Sequence, residues 1–178
     1  MSPFSMSGVL GQVATDSAAS MDEEAFRLFY ERTARPLRRY LVRMLNNQAA
    51  ADDLLQESYL RLLKANLQEL ASDEHLKNYL FRVATNLIKD HKTRRRETSL
   101  ADDASVAAEA ADGDVTRLLG RLKPTQRELL WLAYVERFSH GEIARMLNLK
   151  QQSIRPMLSR ARHALAEVLR HGGFGEPQ

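Results

Sequence analysis

Apolar residues recur at helical spacing along most of this chain. Phe26, Phe29, Tyr30 and Thr33 form one stripe, continued by Leu37, Tyr40, Leu41, Met44 and Leu45. Pro36 interrupts it. Proline is harmless as the first residue of a helix, where its N–H would be unpaired anyway, so the pattern predicts a second helix opening at Pro36. A third helix is predicted over 49–64, with Leu54, Leu55, Tyr59, Leu62 and Leu63 on one face. A fourth is predicted over 73–96, with Leu76, Leu80, Val83, Leu87 and His91 spaced alike. No stretch alternates in the manner of a β-strand.

The pattern then lapses. Residues 97–114 read ETSLADDASVAAEAADGD, with six acids, no base and almost no large apolar side chain. Such a segment cannot bury itself and is predicted to be a flexible acidic linker. Helical spacing returns over 115–122 and 124–136, in a short helix from Ser139, and in a last helix ending near Arg170. The closing HGGFGEPQ stops that helix. The expected fold is therefore all-α, with two small helical domains over 21–96 and 115–172, the linker between them, and tails at 1–20 and 173–178.

Composition narrows the class. The chain has 178 residues, a formal net charge of +3 and no cysteine. Disulfides and thiolate metal sites are excluded, and a reducing compartment fits. No apolar run approaches the roughly 18 residues of a membrane span, so no membrane insertion is expected. The first twenty residues contain no Lys or Arg and lack the charged start of a secretory signal. A soluble cytoplasmic protein is expected.

The modest net charge hides local patches. Ser139–Glu142 reads SHGE, a capping box in which the serine hydroxyl accepts from the N–H three residues on and the glutamate reaches back. Ile143, Ala144 and Leu147 give the short helix a buried face. Asn148 tolerates the left-handed conformation that ends a helix, and Leu149 is placed to plug the corner. A second helix with Arg155, Ser159, Arg160 and Arg162 follows. This is a helix-turn-helix pattern, whose arginines can clamp phosphates or read guanine edges. A packed helical hairpin with a solvated face carries the same pattern.

Two stretches of the first half also carry chemistry. In DDLLQESYLRLLKA the polar residues Asp52, Asp53, Gln56 and Glu57 share one stretch and leucines the other face. By itself this describes an ordinary solvated amphipathic helix. In NYLFRVATNLIKDHKTRRRE, Arg82, Lys89, Lys92, Arg94, Arg95 and Arg96 stand against Asp90 and Glu97, with Tyr79 and Phe81 among them. Bases interleaved with aromatics suit single-stranded nucleic acid. A solvated basic helix end, favoured by the helix dipole, fits as well.

These segments, in this order, resemble an RNA polymerase sigma factor of the extracytoplasmic-function type (group 4 of the sigma-70 family). Such proteins have two helical domains, region 2 and region 4. The resemblance covers residues 22–96 and 115–170. It implies that Asp52, Asp53, Gln56, Glu57 and Leu63 dock on the clamp helices of the polymerase β′ subunit. It implies that Arg82, Asn86, Lys89, Lys92, Arg94 and Arg95 contact the −10 promoter strand, and that the loop over 66–74 grips a flipped base. Gln151, Gln152, Ser153, Arg155, Ser159, Arg160 and Arg162 would read the −35 duplex, with region 4 against the β flap. The linker would run toward the RNA exit path. Core polymerase and promoter DNA are the implied partners, an anti-sigma factor is a further one, and no cofactor or metal is implied.

Two other classes are weighed against this. A conventional helix-turn-helix regulator explains Ser139–Arg162 but not the polar face at 52–57. An enzyme is disfavoured: His75, His91, His140, His163 and His171 show no metal spacing, and no glycine loop cradles a phosphate. A sigma-like protein that only sequesters an anti-sigma factor would need its −10 and core-binding segments impaired, and they look intact.

Pro156 is the least family-like point of the reading surface. Lys150 is a poor cap where a small residue is usual, and a proline inside a helix costs about 3 kcal/mol. The penalty shrinks if Ser153 is the N-cap and Pro156 the third helical residue. The sequence therefore predicts a late-starting or kinked helix, with Lys150, Gln151 and Gln152 as its lead-in and Arg155 near the DNA.

Overall fold

The computed structural model describes residues 23–65, 72–98 and 113–171. The described residues contain helices and connecting turns, with no strand among them. Helix α1 (Glu23–Leu45), α2 (Gln48–Lys64) and α3 (Asp73–Thr98) build the N-terminal unit. Helices α4 (Gly113–Gly120), α5 (Pro124–Leu130), α6 (His140–Leu147) and α7 (Gln151–His171) build the C-terminal unit. A π-helical segment, Trp131–Val135, extends α5.

Helix α1 corrects the expectation at Pro36. It runs unbroken across the proline. Phe29, Thr33, Leu37, Tyr40, Leu41 and Met44 are all buried, on both sides of Pro36. One continuous helix keeps them in a single phase. Burial of large side chains at about 1.5–3 kcal/mol each outweighs one missing hydrogen bond. The carbonyl deprived of its helical donor belongs to Arg32, an exposed residue.

The turn into α2 is set locally. Asn46 adopts φ 50°, and the Asn47 side chain caps the helix by accepting from the Ala50 N–H at 2.9 Å. Leu54, Leu55, Tyr59 and Leu62 enter the core as expected, whereas Leu63 stays outside. The buried hydroxyls of this core are paired. The Thr33 and Tyr59 hydroxyls lie 2.7 Å apart, and Ser58 Oγ donates to the Leu54 carbonyl at 2.6 Å.

The C-terminal unit follows its local signals. The Gln126 side chain accepts from the Lys123 N–H at the start of α5. Ser139 Oγ accepts from the Glu142 N–H at 3.3 Å, and the Ser139 N–H donates to the Glu142 carboxylate at 2.7 Å. Asn148 closes α6 in the left-handed region, at φ 55° and ψ 50°. Leu149 does not plug the corner; it remains on the surface at 38% exposure.

Helix α7 corrects the expectation of a late start. It begins at Gln151, and the Ser153 N–H donates to the Lys150 carbonyl at 2.9 Å. Ser153 is therefore inside the first turn and is not the N-cap. Pro156 is a true interior proline. Ile154, Leu158 and Ala161 are buried along α7 and hold it in register through the proline, as the core of α1 does at Pro36. Pro156 itself is exposed.

Helix α3 runs two residues into the predicted linker, to Thr98, and α4 opens at Gly113. The rest of the linker, both predicted tails, and positions 66–71 of the predicted base-gripping loop lie outside the described residues.

The two units pack on each other, with α3 against α6 and α1 against α5. Phe81 and Phe138 meet edge-on at 5.1 Å between ring centroids, and Lys77 lies 4.9 Å above the Phe138 ring. The Tyr40 hydroxyl donates to the Glu128 carboxylate at 2.9 Å and lies 3.0 Å from Thr85 Oγ1. Lys77 Nζ is 3.2 Å from the Glu136 carboxylate. Asn78 Nδ2 donates to Glu142 at 2.5 Å, and Arg127 donates to the Arg43 carbonyl at 3.1 Å.

Candidate polymerase and nucleic-acid interfaces

Helix α2 carries the first surface. Its buried residues occupy one side, and positions 53, 56, 57, 60 and 63 fall on the other at helical spacing. Asp53 and Gln56 are exposed there. Leu60 and Leu63 stand beside them at 50% and 49% exposure. Leu60 is an addition to the residues expected on this surface. Its signal is present in the sequence, since it is a leucine out of phase with the core stripe. Two leucines flanked by acids and an amide make a patch with an apolar centre and a polar rim.

Two of the expected docking residues are partly occupied within the chain. Arg38 donates to both Asp52 oxygens, at 2.6 and 3.1 Å. That fork from α1 holds the Asp52 carboxyl below its ordinary range. Glu57 pairs with Arg61 one turn on, at 2.7 Å.

Helix α3 carries the second surface. Arg82, Asn86, Lys89 and Lys92 fall within one broad strip of the helix by their spacing. Arg94 is exposed but lies well around the helix from that strip, and the exposed Arg95 borders it one step beyond Lys92, so the structure does not bring all six residues together. The Arg82 guanidinium stacks over the Tyr79 ring at 5.2 Å. Lys89 Nζ donates to the Leu147 carbonyl at the C-terminal end of α6, at 3.0 Å. Burial pushes the Lys92 ammonium below its ordinary pKa, although Glu128 opposes this. Burial also raises the Glu128 carboxyl, against the Tyr40 hydrogen bond and the charges of Lys92 and Lys89. A cleft of about 230 Å³ between α3 and α6 is lined by His75, Asn78, Tyr79, Arg82, Glu142 and Arg145, among others.

Helix α7 carries the third surface. Gln151, Arg155, Ser159 and Arg162 follow one another at helical spacing, with Gln152 beside them. Gln151, Gln152, Arg155 and Arg162 are exposed and Ser159 is half-buried. Ser153 and Arg160 fall to the far side of this row, on either side of Pro156. Arg162 donates to the Tyr134 hydroxyl at 3.0 Å, which ties the row to the π-helical segment. Spacing along the chain does not single out Tyr134, because its partner lies on another helix.

Among the described residues no cluster of His, Asp or Glu could hold a metal ion, and no helix is long and apolar enough to cross a membrane.

Comparison with known proteins agrees with this layout. Residues 29–98 match the family model of Sigma-70 region 2, and residues 112–165 match that of Sigma-70 region 4. The ECF RNA polymerase sigma factor EcfG of Rhodopseudomonas palustris is 31% identical over 143 residues, covering 75% of this chain and 78% of that protein. The ECF RNA polymerase sigma factor SigM of Bacillus subtilis is 26% identical over 148 residues, covering 75% of this chain and 88% of that protein. Among solved structures, the sigma factor RpoE of Bartonella quintana, crystallised with the anti-sigma factor NepR, matches with a TM-score of 0.64 and 23% identity. The match covers 83% of this chain and 98% of that one. CnrH in complex with the cytosolic domain of CnrY matches with a TM-score of 0.62 and 20% identity, over 86% of this chain and 93% of its own. At these identities the two structures establish the shared fold.

Proposed function

This chain belongs to the extracytoplasmic-function sigma factors of RNA polymerase, and we propose how its surfaces divide the work of promoter-specific initiation. As an alternative sigma factor it directs core polymerase to promoters. The α2 patch of Asp53, Gln56, Leu60 and Leu63 docks on the β′ clamp helices, with Asp52 and Glu57 at its edge. The leucines supply the buried centre, and the polar rim fixes register. The C-terminal unit docks on the β flap.

Arg82, Asn86, Lys89 and Lys92 on α3 take the unpaired −10 strand. Their cations meet phosphates, and Tyr79 offers a ring for a base. Arg94, set apart around the helix, and Arg95, at the edge of the strip, contact flanking backbone. Gln151, Gln152, Arg155, Ser159 and Arg162 on α7 enter the −35 major groove, and Ser153 and Arg160 reach the groove wall. The chain breaks and forms no covalent bond in this reading. Melting is driven by strand capture and phosphate neutralisation on the polymerase. An anti-sigma factor is a further partner, and the site of action is the cytoplasm, on polymerase.

The observation that carries the reading is the adjacency of two unlike surfaces on one unit. An acid, amide and leucine patch on α2 sits next to a basic strip on α3, as a protein that bridges polymerase and DNA requires. Run-off transcription with purified core polymerase on genomic fragments, with mapped start sites, tests it. Discrete new start sites that depend on the chain are expected. Their absence, or tight sequence-specific binding of promoter duplex by the chain without polymerase, refutes it.

A further inference from the structure

The π-helical segment after α5 is pinned at both ends. The Glu136 N–H donates to the Trp131 carbonyl at 3.1 Å, one residue wider than an α-turn, and the Phe138 N–H donates to the Leu132 carbonyl at 3.0 Å. Trp131 and Leu132 are buried, and the Trp131 indole Nε1 donates to the buried Glu136 carboxylate at 3.3 Å. Between these anchors the chain turns outward. Tyr134 is 53% exposed, the most of any large apolar side chain among the described residues. Burial of its ring does not account for a tyrosine here. Its hydroxyl does, since it accepts from Arg162 on α7 at 3.0 Å.

Arg162 is thus held by a neutral oxygen. It makes no ion pair among the described residues, and Glu167 on the same helix pairs with Arg170 instead, at 3.8 Å. The distinction is electrostatic. A carboxylate would fix the guanidinium equally well but would cancel the charge that a phosphate seeks. A phenol hydroxyl fixes one N–H and leaves the charge and the remaining donors to a ligand. Arg162 also closes the α7 row, about 16 Å along the axis from Gln151. A recognition helix makes its base contacts from its first turns, so a side chain this far along meets the sugar-phosphate wall.

We infer that Tyr134 is a positioning residue for −35 recognition: its hydroxyl holds the Arg162 fork, charge intact, toward a backbone phosphate at the rim of the groove. The inference rests on the proposed placement of α7 in that groove. It adds a residue from another element and a reason for the π-helical turn that exposes it. Because the fork is ordered before DNA arrives, Arg162 loses little side-chain freedom on binding.

The test uses the full chain reconstituted with core polymerase, on a promoter fragment carrying a start site mapped by run-off transcription. Tyr134→Phe removes only the hydroxyl of an exposed ring, so the melting temperature should stay at the wild-type value. Holoenzyme binding should weaken about three- to tenfold. The factor should be the same on duplexes that differ only in their −35 bases, because a phosphate contact carries no sequence information. Arg162→Ala should weaken binding at least as far and lower the slope of log affinity against log salt by about one. In the Arg162→Ala background Tyr134→Phe should have no further effect, a coupling that a merely structural tyrosine would not show. Wild-type binding by Tyr134→Phe, or an equal loss in both backgrounds, would overturn the positioning role. If Tyr134→Phe lowers the melting temperature, Arg162→Lys reads the role in its place, since it keeps the charge and loses the fork. Weakened binding with an unchanged salt slope is then expected, and wild-type affinity would overturn the fork contact. Arg162→Ala that binds like the wild type would remove Arg162 from the duplex altogether. The absence of any mapped start site would instead refute the proposed function, and this inference with it.

Discussion

The Tyr40 hydroxyl donates to the Glu128 carboxylate at 2.9 Å, joining α1 of one unit to α5 of the other. Tyr40 is fully buried and Glu128 half-buried, and the hydroxyl supplies the carboxylate with a donor. Tyr40→Phe leaves Glu128 short of a donor and should cost about 1–3 kcal/mol, read as a lowered denaturant midpoint with an unchanged slope. An unaltered midpoint would mean that the two units do not pack in solution.

The same contact predicts a pH dependence. Burial raises the Glu128 carboxyl above its ordinary value of 4.5. The folded chain then binds this proton more tightly than the unfolded chain does. The stability it contributes is fully present below that ordinary value and is lost as pH rises through the raised folded value. Denaturant titrations across the mildly acidic range should show that loss, and Glu128→Gln should remove it. A slope that persists in the variant assigns the effect to another group.

Ser139 caps α6 and is bonded in both directions with Glu142. Ser139→Ala should cost about 1 kcal/mol of stability. Thermal melting checks this, and because α6 carries Ile143 and Leu147 into the core, the whole C-terminal unit should melt earlier.

Pro156 lies inside α7 with its ring exposed. Pro156→Ala restores an N–H within reach of the Gln152 carbonyl and should stabilise the chain by up to about 3 kcal/mol. The proline also stands between Gln152 and Arg160, so −35 preference should change with it. Selection from randomised −35 duplexes by the reconstituted holoenzyme measures this. Unchanged stability together with unchanged preference would refute both statements.

Leu60 and Leu63 are half exposed and contribute little to the core. Leu60→Asp and Leu63→Asp should therefore leave the melting temperature near that of the wild type. Each should weaken co-purification with core polymerase at least tenfold, or about 1.4 kcal/mol. Retained polymerase binding would move the docking surface elsewhere.

Features decided within a few residues are legible in the sequence. The capping box at Ser139–Glu142 and the left-handed Asn148 rest on chemistry that acts within one turn, and both are present in the structure. The stripes of α2 and α3 are readable because burial follows helical spacing. The expected helix starts at Pro36 and Ser153 fail for one reason. A local penalty of a few kcal/mol has no visible opponent in the sequence, while the opponent is the buried face running through Pro36 and Pro156.

The sequence by itself determined the helical stretches away from the two prolines, the caps of α6, the two-unit order and the positions of the basic strips. These follow from side-chain type and spacing, which act locally. Only the tertiary structure decided that Lys89 meets the end of α6, that Arg38 occupies Asp52, and that Tyr40 finds Glu128. Those partners are 58, 14 and 88 residues apart. Spacing along a helix says which face a residue shares, but it carries no information about what comes to lie against that face. That depends on the shape and charge of two assembled surfaces, which exist only once the helices have packed.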